Sequence, residues 1–338
     1  MLSVTIFAQT EGVVAAAAGA ALIAAVFAAV YHAEVIAHRI GEPFGTLVLA
    51  VAVTVIEVTL IVTLMIGTAA ASLARDTVFA AIMIACNGVV GLCLLAGGVR
   101  HHEQGFQVQG ASAALAVLAA LTTLSLILPN VTTSVPGPLF SMSQLAFAGT
   151  VSLVLYGSFV FVQTVRHRND FLPVGGGSGE PPALRPSGRN TLVSVILLFV
   201  SLLAVVGLAK ALTPTLEITV AWLHGPKAVV GIVIATLVLL PEGSAALKAA
   251  RANQLQTSLN LALGSALATI GLTIPVVAVA SIALRRPLEL GLGPKEEVLL
   301  GLTLFVSVVT LGTGRTTVLQ GIVHLVIFAA FLFLAVAP

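Results

Sequence analysis

Two glutamates stand where this chain has least use for charge. Glu57 lies in "TVIEVTLIV", inside a run from Phe44 to Gly67 that is otherwise apolar, small or uncharged. Glu242 lies in "LVLLPEGSAAL". If such runs cross a bilayer, an ionised carboxylate at their middle costs about 2.5–3.5 kcal/mol. The group must then be protonated, paired with a cation, or open to water. No Lys or Arg lies near either Glu within its run. The same two oxygens can hold protons or a metal cation, but not both well. A site of that kind, opened alternately to the two sides of a membrane, would exchange cations for protons.

Composition makes the membrane explicit. The chain has 338 residues, 58% hydrophobic and 8% charged, with mean hydropathy +1.12. A soluble domain carries about 25% charged residues. Several apolar runs reach the roughly 20 residues that cross a hydrocarbon core. The expectation is an all-α polytopic membrane protein of about ten transmembrane helices: 13–31, 44–67, 77–97, 111–128, 142–165, 191–212, 227–247, 257–284, 297–311 and 316–337. "MLSVTIFAQTEG" has no basic n-region, so the first run reads as a retained span. The net charge of +2 comes without a basic, aromatic-laced stripe, which excludes a nucleic-acid partner. Cys86 and Cys93 share a helix face about two turns apart, too far for a disulfide, and read as packing residues.

The longest break, "RHRNDFLPVGGGSGEPPALRPSGRN" at 166–190, is rich in Gly, Pro and charge and reads as a flexible linker. It divides the chain into units 1–165 and 191–338, five spans each. An odd number of spans forces the halves into opposite orientations, the geometry of inverted repeats. The halves also share a pattern. Glu34 and Glu217 are each followed by Gly (Gly41, Gly225), Pro (Pro43, Pro226) and an apolar climb to Glu57 and Glu242, with Glu-to-Glu spacings of 23 and 25 residues. A cytoplasmic linker puts Arg39, Arg100, Arg166, Arg168, Arg185, Arg189, Lys248, Arg251 and Arg315 inside. It leaves Arg75, Lys210, Lys227, Arg285, Arg286 and Lys295 outside, in keeping with the positive-inside rule.

Around the two glutamates, polar residues could complete a cation shell. Pro241 and Gly243 predict a helix break at Glu242, with freed carbonyls. Thr54 and Thr59 flank Glu57, where hydroxyls commonly bond their own helix. In "TSLNLALGSALATIGLTIPVV", Ser258, Ser265, Thr269 and Thr273 fall along one face and Asn260 off it. The first-half counterpart offers Asn87. Such neutral oxygens suit six to eight ligands for Ca²⁺, or fewer for Na⁺; Ser and Thr also serve as helix-packing glue. Glu34 and Glu217, near span ends, are candidates for a proton path or gate, and His32, His38 and His224 lie near them. "HHE" at 101–103 has no further metal ligand in sequence reach, and His324 reads as a packed or hydrogen-bonded imidazole. No phosphate-binding loop is present in the sequence.

These residues carry a resemblance. "EPFGTLVLAVAVTVIEVTLIVTLM", "LPEGSAALKAARANQLQTSLNLALGSALATIGLTIPVV" and "GTGRTTVLQGIVHL" resemble the calcium/proton exchanger family, and within it the bacterial branch of calcium, sodium and potassium/proton antiporters. The similarity spans nearly the whole chain. It implies two inverted five-helix repeats, each with one buried Glu on its second helix, at Glu57 and Glu242. It implies that both line the cation site and exchange protons for the ion. It also implies polar contributions from the third helix of each repeat, around Ser265 and Asn87. The family motif places Gly-Asn three residues before each Glu. Here "TVIE" and "LLPE" lack those amide ligands.

The expectation is therefore an inner-membrane antiporter exchanging Ca²⁺, or Na⁺ or K⁺, for protons. It needs no cofactor, and its partners are lipid, inorganic cations and protons. A sodium/calcium exchanger is the alternative within the class. An intramembrane enzyme would pair its Glu with another Glu, His or Arg about one helical turn away; Glu57 has none within four residues.

Overall fold

The computed structural model describes residues 2–41, 52, 54–56, 58–59, 61–62, 71–172, 186–222, 226 and 228–337, without the side chains of 2–13, 217, 221 and 228. The expected span 44–67 therefore lies largely outside the described residues. The few described positions within it are helical, and Ala52, Thr54, Ile56, Val58 and Ile61 are buried.

Long helices dominate, because a backbone in lipid must satisfy its own hydrogen bonds. They are α1 Leu2–Ile40, α2 Leu73–His101, α3 Val108–Asn130, α4 Met142–Arg166, α5 Gly188–Trp222, α6 Ala228–Arg251, α7 Leu255–Leu284, α8 Pro294–Leu311 and α9 Val318–Val336. Among the described residues, eight helices are long and apolar enough to cross a membrane. The shorter α8 carries Lys295, Glu296 and Glu297 in its first turn. Two short strands, β1 Gln104–Gly105 and β2 Arg315–Thr316, pair antiparallel between loops. A single 3₁₀ turn, Arg168–Phe171, follows α4.

The core is centred on α2 and α7. Their spanning windows are 83% and 61% buried, against 22% for α1, α5 and α9. A helix apolar on all sides belongs inside a bundle. The helices around them turn large apolar side chains such as Phe147, Leu203, Phe305 and Phe333 outward, as lipid requires. Three antiparallel pairs organise the rest. In α1, Leu22, Val26, Ala29, Ala33 and Ile36 form a buried stripe at alternating spacings of four and three. α1 packs along α5, joined by His32 Nδ1 and Ser194 Oγ at 3.3 Å and by Arg39 Nη1 to the Pro186 carbonyl at 3.1 Å. α2 packs along α9 through Gly88, Gly91 and Gly98, which face Phe328, Leu325 and Val318. α4 packs along α7, where Gly149 faces Pro275 and Gly271 faces Tyr156.

The loops gather at two ends. At one end β1 pairs with β2, and Gln104 Nε2 donates to the Ala250 carbonyl at 2.9 Å. At the other end Leu139 bridges Glu289, and Arg75 Nη1 donates to the Gly291 carbonyl at 2.8 Å. Phe171, in the turn after α4, is buried and packs edge-on against Phe159 at 5.8 Å. The first residues after α4 are thus docked on the bundle, a contact that their polar composition conceals.

One expectation fails. The proline pattern predicts a break at Glu242, yet α6 runs unbroken from Ala228 to Arg251. Pro241 withholds one N–H, which is a local loss that packed neighbours tolerate in a membrane helix. Its own carbonyl is occupied, accepting from Ser244 Oγ at 2.7 Å.

Candidate functional site

Glu242 sits on the uninterrupted α6, which packs against both α2 and α7. Both of its carboxylate oxygens are enclosed, and neither has a hydrogen-bond partner among the described residues. No described Lys or Arg forms an ion pair with it. Leaving a buried carboxylate unpaired is expensive, so this one is placed for something other than packing. Gly243, the next residue, opens space on the α2 side: a Cβ there would lie 3.2 Å from Val89 Cγ2. Glu34, on α1, is exposed. Glu57 lies outside the described residues, as do His224 and the side chain of Glu217.

The polar residues of α7 lie inside the bundle to different degrees. Ser258, Thr269 and Thr273 are buried and Ser265 is half-buried. The Ser258 and Thr273 hydroxyls have no hydrogen-bond partner among the described residues. Measured from the α6–α7 turn, Ser265 stands at the depth of Glu242, since each lies about the same number of 1.5 Å steps from it. Thr54 is buried, while Thr59 donates to the Val55 carbonyl of its own helix at 2.6 Å.

The two asparagines both carry hydrogen bonds between elements. Asn260 Nδ2 donates to the Phe171 carbonyl at 2.7 Å, and its Oδ1 accepts from Gln256 Nε2 at 2.9 Å. It holds the turn after α4 in place at the loop end of the bundle. Asn87 is fully buried in a π-turn, Ile84–Val89, within α2. Its Nδ2 donates to Thr303 Oγ1 at 2.8 Å and its Oδ1 faces His324 Nδ1 at 3.2 Å. The amide is therefore committed to α8 and α9. His324 is the hydrogen-bonded imidazole that its place in an apolar span predicts. Neither the π-turn nor Thr303 is signalled by sequence: a π-turn has no periodic signature, and Thr303 looks like any membrane threonine. His101 Nε2 contacts the Arg251 carbonyl at 3.0 Å and Glu103 pairs with Arg315 at 3.7 Å, so "HHE" works as a loop brace. Cys86 and Cys93 are buried free thiols.

The sequence model of the sodium/calcium exchanger protein family matches residues 11–165 and 193–337. The chain belongs to that family. Its members are membrane transporters rather than enzymes, in keeping with the multi-pass helices seen here. The chain is 37% identical over 303 residues to the sodium-potassium/proton antiporter ChaA of Escherichia coli, covering 88% of this chain and 82% of that protein. It is 55% identical over 307 residues to y4hA of Sinorhizobium fredii, described as an ionic transporter, covering 90% and 83%. The fold matches the crystal structure of the H⁺/Ca²⁺ exchanger CAX with a TM-score of 0.72 at 18% identity, over 94% of this chain and 80% of that one.

Proposed function

We infer that this family member is a secondary antiporter of the bacterial inner membrane, exchanging a cation for protons by alternating access. The observation that carries the reading is the Glu242 carboxylate, enclosed with both oxygens unpartnered among the described residues. An anion so placed is stabilised by a proton or by a cation, and the two compete. Glu57 is assigned the matching role from the first half, with Thr54, Ser265 and Thr269 as supporting oxygens. Glu34 and Glu217 serve as a path or gate. The cargo class is Ca²⁺, Na⁺ or K⁺. The names of ChaA and CAX support these ions, and the missing amide beside each Glu argues for monovalent as well as divalent transport.

Ten spans in two inverted repeats, 1–165 and 191–338 about a cytoplasmic linker 166–190, fit the observed contacts. Arg39 meets Pro186 at one end. Ala71 accepts from the Glu289 amide at 3.2 Å at the other. The antiparallel pairs α1–α5, α2–α9 and α4–α7 fall as a twofold relation between halves would place them.

The test is pH-gradient-driven cation flux in proteoliposomes, with each cation in turn. Glu242→Gln and Glu57→Gln should each abolish it, and full transport in either variant would overturn the assignment. Cation flux that persists at full rate after the pH gradient is collapsed, but depends on Na⁺, would favour sodium/calcium exchange.

A further inference from the structure

The π-turn of α2 has two faces. One carries Val89, against Gly243 and so beside Glu242. The other carries Asn87, which is bound to α8 and α9. The hydrogen positions in this buried cluster follow from counting. Thr303 has one hydroxyl hydrogen, which goes to the Leu299 carbonyl at 2.7 Å or to Met83 Sδ at 3.4 Å, the carbonyl being the stronger acceptor. Thr303 Oγ1 is then an acceptor for Asn87 Nδ2. That orientation turns Asn87 Oδ1 toward His324, so the hydrogen between them must sit on His324 Nδ1. His324 Nε2 is left as an acceptor, enclosed and without a partner among the described residues. The two helices, α2 and α9, are close on either side of the ring. The point where a Cβ on Gly91 would stand is 3.1 Å from His324 Cβ, and the corresponding point on Gly321 is 2.5 Å from the Leu95 amide. α2 and α9 thus meet backbone to backbone on both sides of the imidazole.

We propose that His324 is a positioning residue for the cation site: its Nδ1–H, through Asn87, fixes the π-turn whose Val89 packs against Gly243, the residue next to Glu242. His324 touches neither the cation nor Glu242. It acts by holding the π-turn, a form rare in helices and frequent at functional sites, in one geometry. Ligand-orienting partners of this kind typically alter metal affinity by about 10–100-fold when removed. The inference rests on Glu242 being the transport site.

The experiment compares His324→Leu, which removes the donor, with His324→Asn, whose amide places an N–H where Nδ1 stood. Both are made in the full chain and reconstituted. Half-saturating cation concentration and maximal flux per folded protein are measured with whichever of Ca²⁺, Na⁺ or K⁺ the wild type moves. H324L should raise the half-saturating concentration about tenfold with maximal flux little changed, and H324N should recover most of that loss. Wild-type half-saturation in H324L overturns the proposal. So does an H324N variant as impaired as H324L, because the ring itself would then matter and not its donor. If H324L does not fold, Thr303→Val removes the acceptor for Asn87 instead. The same rise is expected there, and an unchanged half-saturation overturns the proposal. A wild-type protein with no proton-driven flux would count against the transport reading alone. The cation-dependent rise in melting temperature then reads affinity directly, and H324L should need about tenfold more cation for the same rise.

Discussion

Val89 Cγ2 stands 3.2 Å from the point where a Cβ on Gly243 would begin, so α2 and α6 touch at the residue next to Glu242. The missing side chain at 243 is what allows the helices to close there.

Gly243→Ala should therefore fold, because the end of a valine side chain can yield a few tenths of an ångström. Gly243→Leu should cost about 1–3 kcal/mol by overpacking and weaken cation binding, because it forces the helices apart beside Glu242. Melting in detergent, with and without cation, separates the two effects. A leucine variant as stable and as tightly binding as the wild type would show that the contact is unimportant.

Protons and cation should compete openly. Acidifying the side from which the cation enters should raise its half-saturating concentration, and alkalinising should lower it. In the limit of one proton displaced per cation the change approaches about tenfold per pH unit. The sign follows from the shared oxygens: metal binding releases the proton, so excess protons reverse it. Flux measured at fixed gradient and varied absolute pH tests this, and a pH-independent half-saturation would break the link.

The α2–α9 seam should be intolerant of even one methyl. A Cβ on Gly321 would lie 2.5 Å from the Leu95 amide and 2.9 Å from the Gly91 carbonyl, both backbone atoms that cannot turn aside. Gly321→Ala should cost at least about 1–3 kcal/mol, seen as a lower melting temperature and poorer recovery. Gly301→Ala, where no atom lies within 4 Å of the added carbon, is the neutral control.

The turn after α4 should loosen without Asn260. Its Nδ2 holds the Phe171 carbonyl, and Phe171 is buried against Phe159. Asn260→Ala should expose Arg166 and Arg168 to trypsin at lower protease concentrations, with helix content unchanged. Equal cleavage in wild type and variant would mean that the phenylalanine alone secures the turn.

Much of the fold is legible in the sequence. Spans such as 142–165 and 257–284 fall within three residues of α4 and α7 at both ends, because apolar length is a strong signal. Glu242 stands out because packing alone does not repay a carboxylate in such a run. Two things are hidden. Pro241 suggests a break, but whether a helix breaks depends on what packs around it, and that is a tertiary property. Asn87 reads as a ligand on its own helix, yet its partners Thr303 and His324 come from the other half of the chain, where only the fold brings them near.

The two small ladders between loops carry a consequence for biogenesis. Gln104 and Gly105 emerge early but pair with Thr316 and Arg315, and Leu139 must await Glu289. At roughly 5–20 residues per second of synthesis, the first half spends on the order of ten seconds or more with these edges open. Its loops cannot be sealed at either membrane face until the second half has been inserted. The completed bundle is thus closed last by its latest-made segments, and a ribosome that stalls before α9 leaves a chain with α2 unsheltered.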